Sequence, residues 1–208
     1  MSPDSGDLSG RTFLVTGANT GIGRATAAGL ASRGGRVYLA CRSEEKGRAS
    51  AAAIVAATGN KAVTVLPLDL ADLASVRTCA EQFLARDEPL HVLINNGGVA
   101  GRRGITPDGF ELAFGVNHLG HFALTTALLD RLAGSAPARV VNVSSYAHYQ
   151  ARGIDFEAVR RIQAGQRAVH PGACPPPRRP GDHGLRPASG CGRLRHLAAG
   201  AVAGPAAA

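Results

Sequence analysis

The stretch Thr16-Gly17-Ala18-Asn19-Thr20-Gly21-Ile22-Gly23 decides the reading of this chain. It follows the apolar run Thr12–Thr16 and opens the amphipathic run Gly21–Ser32, so it reads as a strand-to-helix turn. Glycines at such a turn let the backbone bend sharply and come close to a bulky anion. A pyrophosphate there would rest on the unpaired N–H groups of the helix start. An ordinary tight turn is the competing reading, and a lone glycine cluster would not separate the two. Its place between a strand and a helix favours the phosphate cradle.

Outward from that turn the pattern repeats. Strands are expected at Thr12–Thr16, Val37–Ala40, Val63–Leu68, Val92–Asn95 and Arg139–Val143. Helices are expected at Gly21–Ser32, Glu44–Ala57, Leu73–Arg86 and Phe110–Leu132. Strand runs with little polar alternation, each followed by a helix, describe a parallel sheet buried on both faces. Right-handed crossovers then make it a doubly wound α/β sheet.

The pattern stops near Val159. Residues 163–208 hold five Val, Leu, Ile or Phe residues and no aromatic one, with Pro, Gly, Ala and Arg dominant. So little apolar area cannot offset the entropy of ordering the chain, and disorder is expected from 159 to 208. The domain is thus placed at residues 1–158. The tail also supplies most of the net charge of +8, because residues 161–208 carry seven Arg against the single acid Asp182. A basic footprint for nucleic acid would belong to that tail alone. The tail lacks interleaved aromatics for base stacking and an amphipathic period for a membrane surface, so neither partner is expected. A polar, acidic start and the lack of a bilayer-length apolar stretch suggest a cytoplasmic protein. The cysteines, at 41, 79, 174 and 191, lack CxxC spacing and read as reduced; no metal site is expected.

With its TGxxxGxG turn, the chain resembles the short-chain dehydrogenase/reductase family. Four further pieces match in order. Asp69-Leu70 is similar to the family's adenine-contacting pair, and Asn95-Asn96-Gly97-Gly98 to its NNAG turn, with Gly97 in place of Ala. Asn117, within Val116-Asn117-His118-Leu119-Gly120-His121, matches the helical Asn that supports a water-linked proton relay. Val141-Asn142-Val143-Ser144-Ser145 resembles the segment bearing the catalytic Ser, with Ser145 as its counterpart. The stretches LACRSEEKGR, INNGG, GVNHLGHF and SAPARVVNVSS are most similar to the retinol-dehydrogenase-like branch. The resemblance implies a Rossmann fold of strand order 3-2-1-4-5, incomplete in its C-terminal half. It also implies a dinucleotide held by Gly17, Asn19, Thr20, Gly21, Ile22, Gly23, Asp69, Leu70, Asn96 and Gly97.

The residues after the second strand bear on which dinucleotide. Members selective for NAD carry an acid there for the ribose 2′-hydroxyl; this chain has Cys41 followed by Arg42. A guanidinium suits a 2′-phosphate in charge and in its forked donors, so NADP(H) is expected over NAD(H). A solvated loop residue is the other reading of Arg42. Arg24 is a weaker phosphate contact, and Cys41 reads as packing.

The resembled family moves a proton with a Tyr whose pKa, about 10 when unperturbed, needs a neighbouring cation. A Lys four residues later supplies it, giving YxxxK about a dozen residues after the serine. No such motif is present. The lysines are Lys46 and Lys61, both upstream of Ser145, while Tyr146 and Tyr149 have Gln150 and Gly153 at the +4 place. His148 and Tyr149 lie too near Ser145 to sit on the helix that presents the base.

Back-translation of the tail, with third codon bases free and read one base forward, accounts for the loss. From Val159 it permits Tyr-Ala-x-Ser-Lys; Ile162 to Arg178 permits S-K-L-A-N-V-L-F-T-x-E-L-A-R-R-L; Leu185 to Gly190 permits Y-A-L-H-P-G. These resemble the catalytic helix and following segments, as if the tail were a frameshifted C-terminus with about ten residues also deleted. Three functions stay open on the sequence. One is an NADP(H)-dependent alcohol/carbonyl oxidoreductase with impaired chemistry and a lost family-type dimer. The second is a non-catalytic NADP(H)-binding module, and the third a tail-driven binder. Small alcohols, aldehydes or ketones are the substrates the first implies.

Overall fold

Runs of β-branched and aliphatic residues need two apolar layers to cover them, and the chain provides both. The computed structural model describes residues 6–146 and residue 153. Strands β1 (Thr12–Thr16), β2 (Arg36–Cys41), β3 (Val63–Pro67), β4 (Val92–Asn95) and β5 (Arg139–Asn142) form one sheet in the order β3-β2-β1-β4-β5. All neighbours run parallel, with Leu14 opposite both Tyr38 and Leu93. The expected architecture and strand order are present. The proposed disorder of 159–208 lies outside the described residues, as do Cys174, Cys191, His148 and Tyr149.

β1 is buried along its whole length because it sits at the centre of the sheet with helices over both faces. Its alternate side chains enter two different cores. Leu14 packs with Tyr38, Leu66, Phe83, Leu93 and Leu124, while Val15 packs with Val37, Leu39, Ile54 and Ile94. Each fully buried aliphatic or aromatic side chain of this kind contributes about 1.5–3 kcal/mol. Tyr38 fits the first core through an edge-to-face contact with Phe83, with ring centroids 5.1 Å apart, and sends its O–H to Glu88 at 2.7 Å.

The helices begin where local chemistry supplies caps. Ser43 Oγ accepts the Lys46 N–H at the start of α2 (Glu44–Thr58), and Asp72 accepts the Ala74 N–H at the start of α3 (Leu73–Leu84). Gly59, at φ +72°, ends α2 in the left-handed conformation that favours glycine. α1 (Gly21–Ala31) differs: its N-cap Thr20 makes no side-chain capping hydrogen bond.

The single helix expected over Phe110–Leu132 is instead broken into pieces. A short turn α4 (Leu112–Phe114) runs into a π-helical turn (Gly115–Leu119), then α5 (Gly120–Ala127) and α6 (Leu129–Gly134). Close packing explains the break. A Cβ on Gly115 would strike the Thr106 side chain, and one on Gly120 would strike the Leu70 carbonyl. Both glycines let the segment press against loops from other layers, and the extra residue of the π turn carries Asn117 towards the end of β4.

β5 is the edge of the described sheet, as expected. Val140, Val141 and Val143 remain 40%, 43% and 44% exposed. Among the described residues, no helix is long and apolar enough to cross a membrane.

Candidate functional site

The site forms at the C-terminal ends of β1, β4 and β5, where this topology leaves a crevice between its two halves. The glycine turn follows β1 and is fixed from beneath. Gly17 has φ +65°, and a Cβ on it would lie 2.7 Å from the Cα of Gly97. On Gly23 a Cβ would come within 2.5 Å of both Asn96 Nδ2 and the Gly17 carbonyl. These two glycines therefore serve backbone packing. Gly21 differs, since at φ +54° it has nothing within 4 Å of a built Cβ.

Asn96 and Gly97 hold the turn from β4. Both backbone N–H groups donate to Thr16 Oγ1 at 2.9 Å, and Asn96 Nδ2 donates to the Thr16 carbonyl at 2.9 Å. The bare side of the turn, at Gly21 and the uncapped start of α1, faces open space. That is the shape and polarity a pyrophosphate needs: free N–H groups, no acid in the first helical turn, no side chain in the way. Ile22 flanks the turn and is 69% exposed.

Beside the turn lies a cavity of about 240 Å³, lined in part by Gly17, Asn19, Arg42, Lys46, Asp69 and Arg102. Leu70 and Gly97 also line it. Asp69 is oriented by its own loop, accepting the Ala71 N–H at 3.0 Å, while its N–H donates to Ser75 Oγ at 2.9 Å. Three cations from three segments meet here, and none belongs to the ion pairs of the described residues, Arg36–Glu88, Arg48–Glu44 and Arg131–Asp87. A nicotinamide dinucleotide fits these residues. The glycine turn would hold its pyrophosphate, and Asp69 and Leu70 its adenine side. Thr20 and Arg24 sit at the start of α1, outside this cavity's lining.

A second, larger cavity of about 720 Å³ brings together Asn117 and Ser145, which are 28 positions apart in sequence. Asn117 grips the loop after β4 with both amide atoms: Oδ1 accepts the Val99 N–H at 2.8 Å and Nδ2 donates to the Val99 carbonyl at 2.9 Å. Asn95, buried on the floor, donates through Nδ2 to Thr125 Oγ1 at 3.1 Å and to Asn142 Oδ1 at 2.8 Å. Its Oδ1 has no partner. Among the described residues, the titratable side chains lining this cavity are His118 and His121, and no lysine lines it. Lys46 lines the other cavity, and Lys61 precedes β3 at the opposite end of the sheet. Tyr38 is committed to the core, where burial and Glu88 push its phenol further up.

The sequence motifs do not single out Thr16, His121, Lys46 or Arg102 as site residues. Thr16 and His121 stand inside motifs, as the first residue of the glycine turn and the last of Val116–His121. Lys46 follows Arg42 by four positions on the first turn of α2. Arg102 offered no signal, because its loop reaches the cavity only through the fold.

Comparison with known proteins agrees with this geometry. Human retinol dehydrogenase 11 is 57% identical over 146 residues, covering 70% of this chain and 46% of that one. The chain thus spans about half the length of the curated relatives it matches. Among solved structures, the Pseudomonas aeruginosa RhlG/NADP active-site complex shares 31% identity at a TM-score of 0.61, covering 78% of this chain and 64% of that one. A metagenomic short-chain oxidoreductase in complex with NADP also shares 31% identity, at a TM-score of 0.62, covering 78% and 75%. The family model for short chain dehydrogenase matches residues 11–154, which contain the glycine turn, both cavities and the serine at the end of β5. On that match and this fold, the chain belongs to the short chain dehydrogenase family of oxidoreductases.

Proposed function

We propose that this chain binds NADP(H) at the glycine turn and stems from an NADP(H)-dependent alcohol/carbonyl oxidoreductase whose own turnover is impaired. When bound, the nicotinamide supplies or accepts the hydride. The chain's residues do the rest of what is available: Ser145 offers a hydroxyl to a carbonyl oxygen, and Asn117 fixes the loop beside it. The observation that carries the impairment is the lysine-free lining of the cavity holding Ser145 and Asn117. A phenol there would have no ammonium to lower its pKa into the working range. Preference for the 2′-phosphate is supported by Arg42, joined in the same cavity by Lys46 and Arg102. Retinoid and other small alcohols or aldehydes are the substrate class suggested by the relatives' names. The tail, in this reading, is a frameshifted C-terminus, and the family-type dimer is absent.

Fluorescence titration tests the binding: NADPH should bind more tightly than NADH. Turnover on retinal and short aldehydes should stay far below the 1 s⁻¹ or so at the low end of ordinary enzymes. Reduction at an ordinary rate would end the claim of impairment. Sequencing the gene through codons 150–208 checks the tail, since a forward frame without YxxxK would refute the frameshift.

A further inference from the structure

The Thr16 hydroxyl is saturated as an acceptor. Two backbone N–H groups, of Asn96 and Gly97, both reach Oγ1 at 2.9 Å. A hydroxyl oxygen has two acceptor sites and one proton, so its own O–H must donate elsewhere. Within reach are His121 Nε2 at 2.9 Å and the Ile94 carbonyl at 3.4 Å. The shorter contact takes the proton. Nε2 is then bare, and the ring proton sits on Nδ1, which donates to the Asn117 carbonyl at 3.1 Å.

We infer that His121, as a neutral imidazole protonated at Nδ1, is a positioning residue that ties the glycine turn after β1 to the π-helical turn carrying Asn117. The inference rests on the cofactor reading above, because the phosphate cradle is one of the two things it positions. His121 lies buried, at 7% exposure, between the elements it joins. Burial pushes its imidazole below the ordinary value, the Asn117 carbonyl opposes that, and neighbouring His118 adds to it. Around it, β1, β4 and β5 present Thr16, Asn95 and Asn142, all uncharged. α3, which packs on α5, contributes Cys79 to the shared core, with a thiol that burial pushes up to about 12. The carboxylate of Asp69, in the loop after β3, is turned to the Ala71 N–H.

Protonation of Nε2 would aim a second N–H at an oxygen with no acceptor site left. Either the Asn96 and Gly97 N–H groups lose their anchor or the imidazole leaves. The cradle therefore loosens as pH falls through the lowered value of His121.

The test uses the full chain. Nitrogen NMR of labelled histidine should show the Nδ1–H tautomer near neutrality, and the Asn96 and Gly97 amide signals should move as His121 titrates. NADPH affinity should drop about tenfold or more between about pH 8 and pH 5. His121→Gln places a non-titrating amide oxygen where Nε2 stood. It should keep affinity within about threefold near pH 8 and flatten the pH response. His121→Leu should weaken NADPH binding about tenfold at every pH. An Nε2–H tautomer, or a glutamine variant with the wild-type pH response, would overturn the inference. Failure of the wild-type chain to bind NADPH at any pH would sink the function proposed above, while the tautomer and the two amide signals would still decide on His121.

Discussion

A methyl group on Gly17 would sit 2.7 Å from the Cα of Gly97, so the turn after β1 and the turn after β4 touch backbone to backbone. Gly17→Ala meets both that contact and a φ of +65°. It should cost about 1–3 kcal/mol in a urea melt and weaken NADPH at least about tenfold. Gly21→Ala meets only the positive φ, with open space around it, and should cost about 1 kcal/mol. Equal losses for the two variants would contradict the packing role assigned to Gly17.

Arg42, Lys46 and Arg102 share one cavity, so charge reversal there tests the 2′-phosphate preference. Hydrogen bonds to charged groups are worth about 1.5–3 kcal/mol, or roughly 10–100-fold in affinity. Arg42→Asp should weaken NADPH by that factor and leave NADH within about threefold. Paired titrations give the answer; a parallel loss for both cofactors would locate Arg42 outside the phosphate subsite.

Stability should fall on acidification through two histidines. His91 accepts the Thr12 N–H through Nδ1 at 2.9 Å, and burial with the Arg11 charge holds its pKa below the ordinary 6.5. His121 is held below the same value of 6.5 by burial. A group whose folded pKa is depressed lends stability that is full above its unfolded value and is lost as pH falls through the folded one. The melting temperature should therefore be flat above about pH 6.5 and decline below it. His121→Gln should shallow that decline. A Tm that rises from pH 6.5 towards pH 5 would reverse the sign and refute the assignment.

Among the described residues, β5 pairs with a strand on one side only, beside exposed valines. Such an edge invites pairing between molecules, and a lysine on it discourages that. Val141→Lys should shift light-scattering profiles towards smaller species at equal concentration. Unchanged profiles would mean the edge is not the contact that drives association.

Most of the sheet was legible because each strand states its own burial. Thr12–Thr16 and Val92–Asn95 match their expected bounds to the residue, as both are apolar runs ended by a polar turn. The stretch 110–132 was not, because apolar periodicity cannot register the one-residue excess of a π turn. What breaks that helix is external: the Leu70 carbonyl against Gly120, the Thr106 side chain against Gly115, and Val99 drawing on Asn117. The same holds at the site. Gly17, Gly21 and Gly23 carry their chemistry in their local spacing, whereas His121 takes its role from Thr16, 105 positions away, and Arg102 meets Lys46 and Arg42 across 56 and 60 positions.

The sheet order has a consequence during synthesis. β1 is made early, yet the partner on its second side is β4, and Asn96 follows Thr16 by 80 positions. At roughly 5–20 residues per second, a nascent chain waits some 4–16 s between emergence of the two. Through that interval the first strand shows a bare flank, and the hydroxyl of Thr16 has none of its eventual amide donors. The nucleotide pocket is therefore a late product of translation, completed only after four strands have cleared the ribosome.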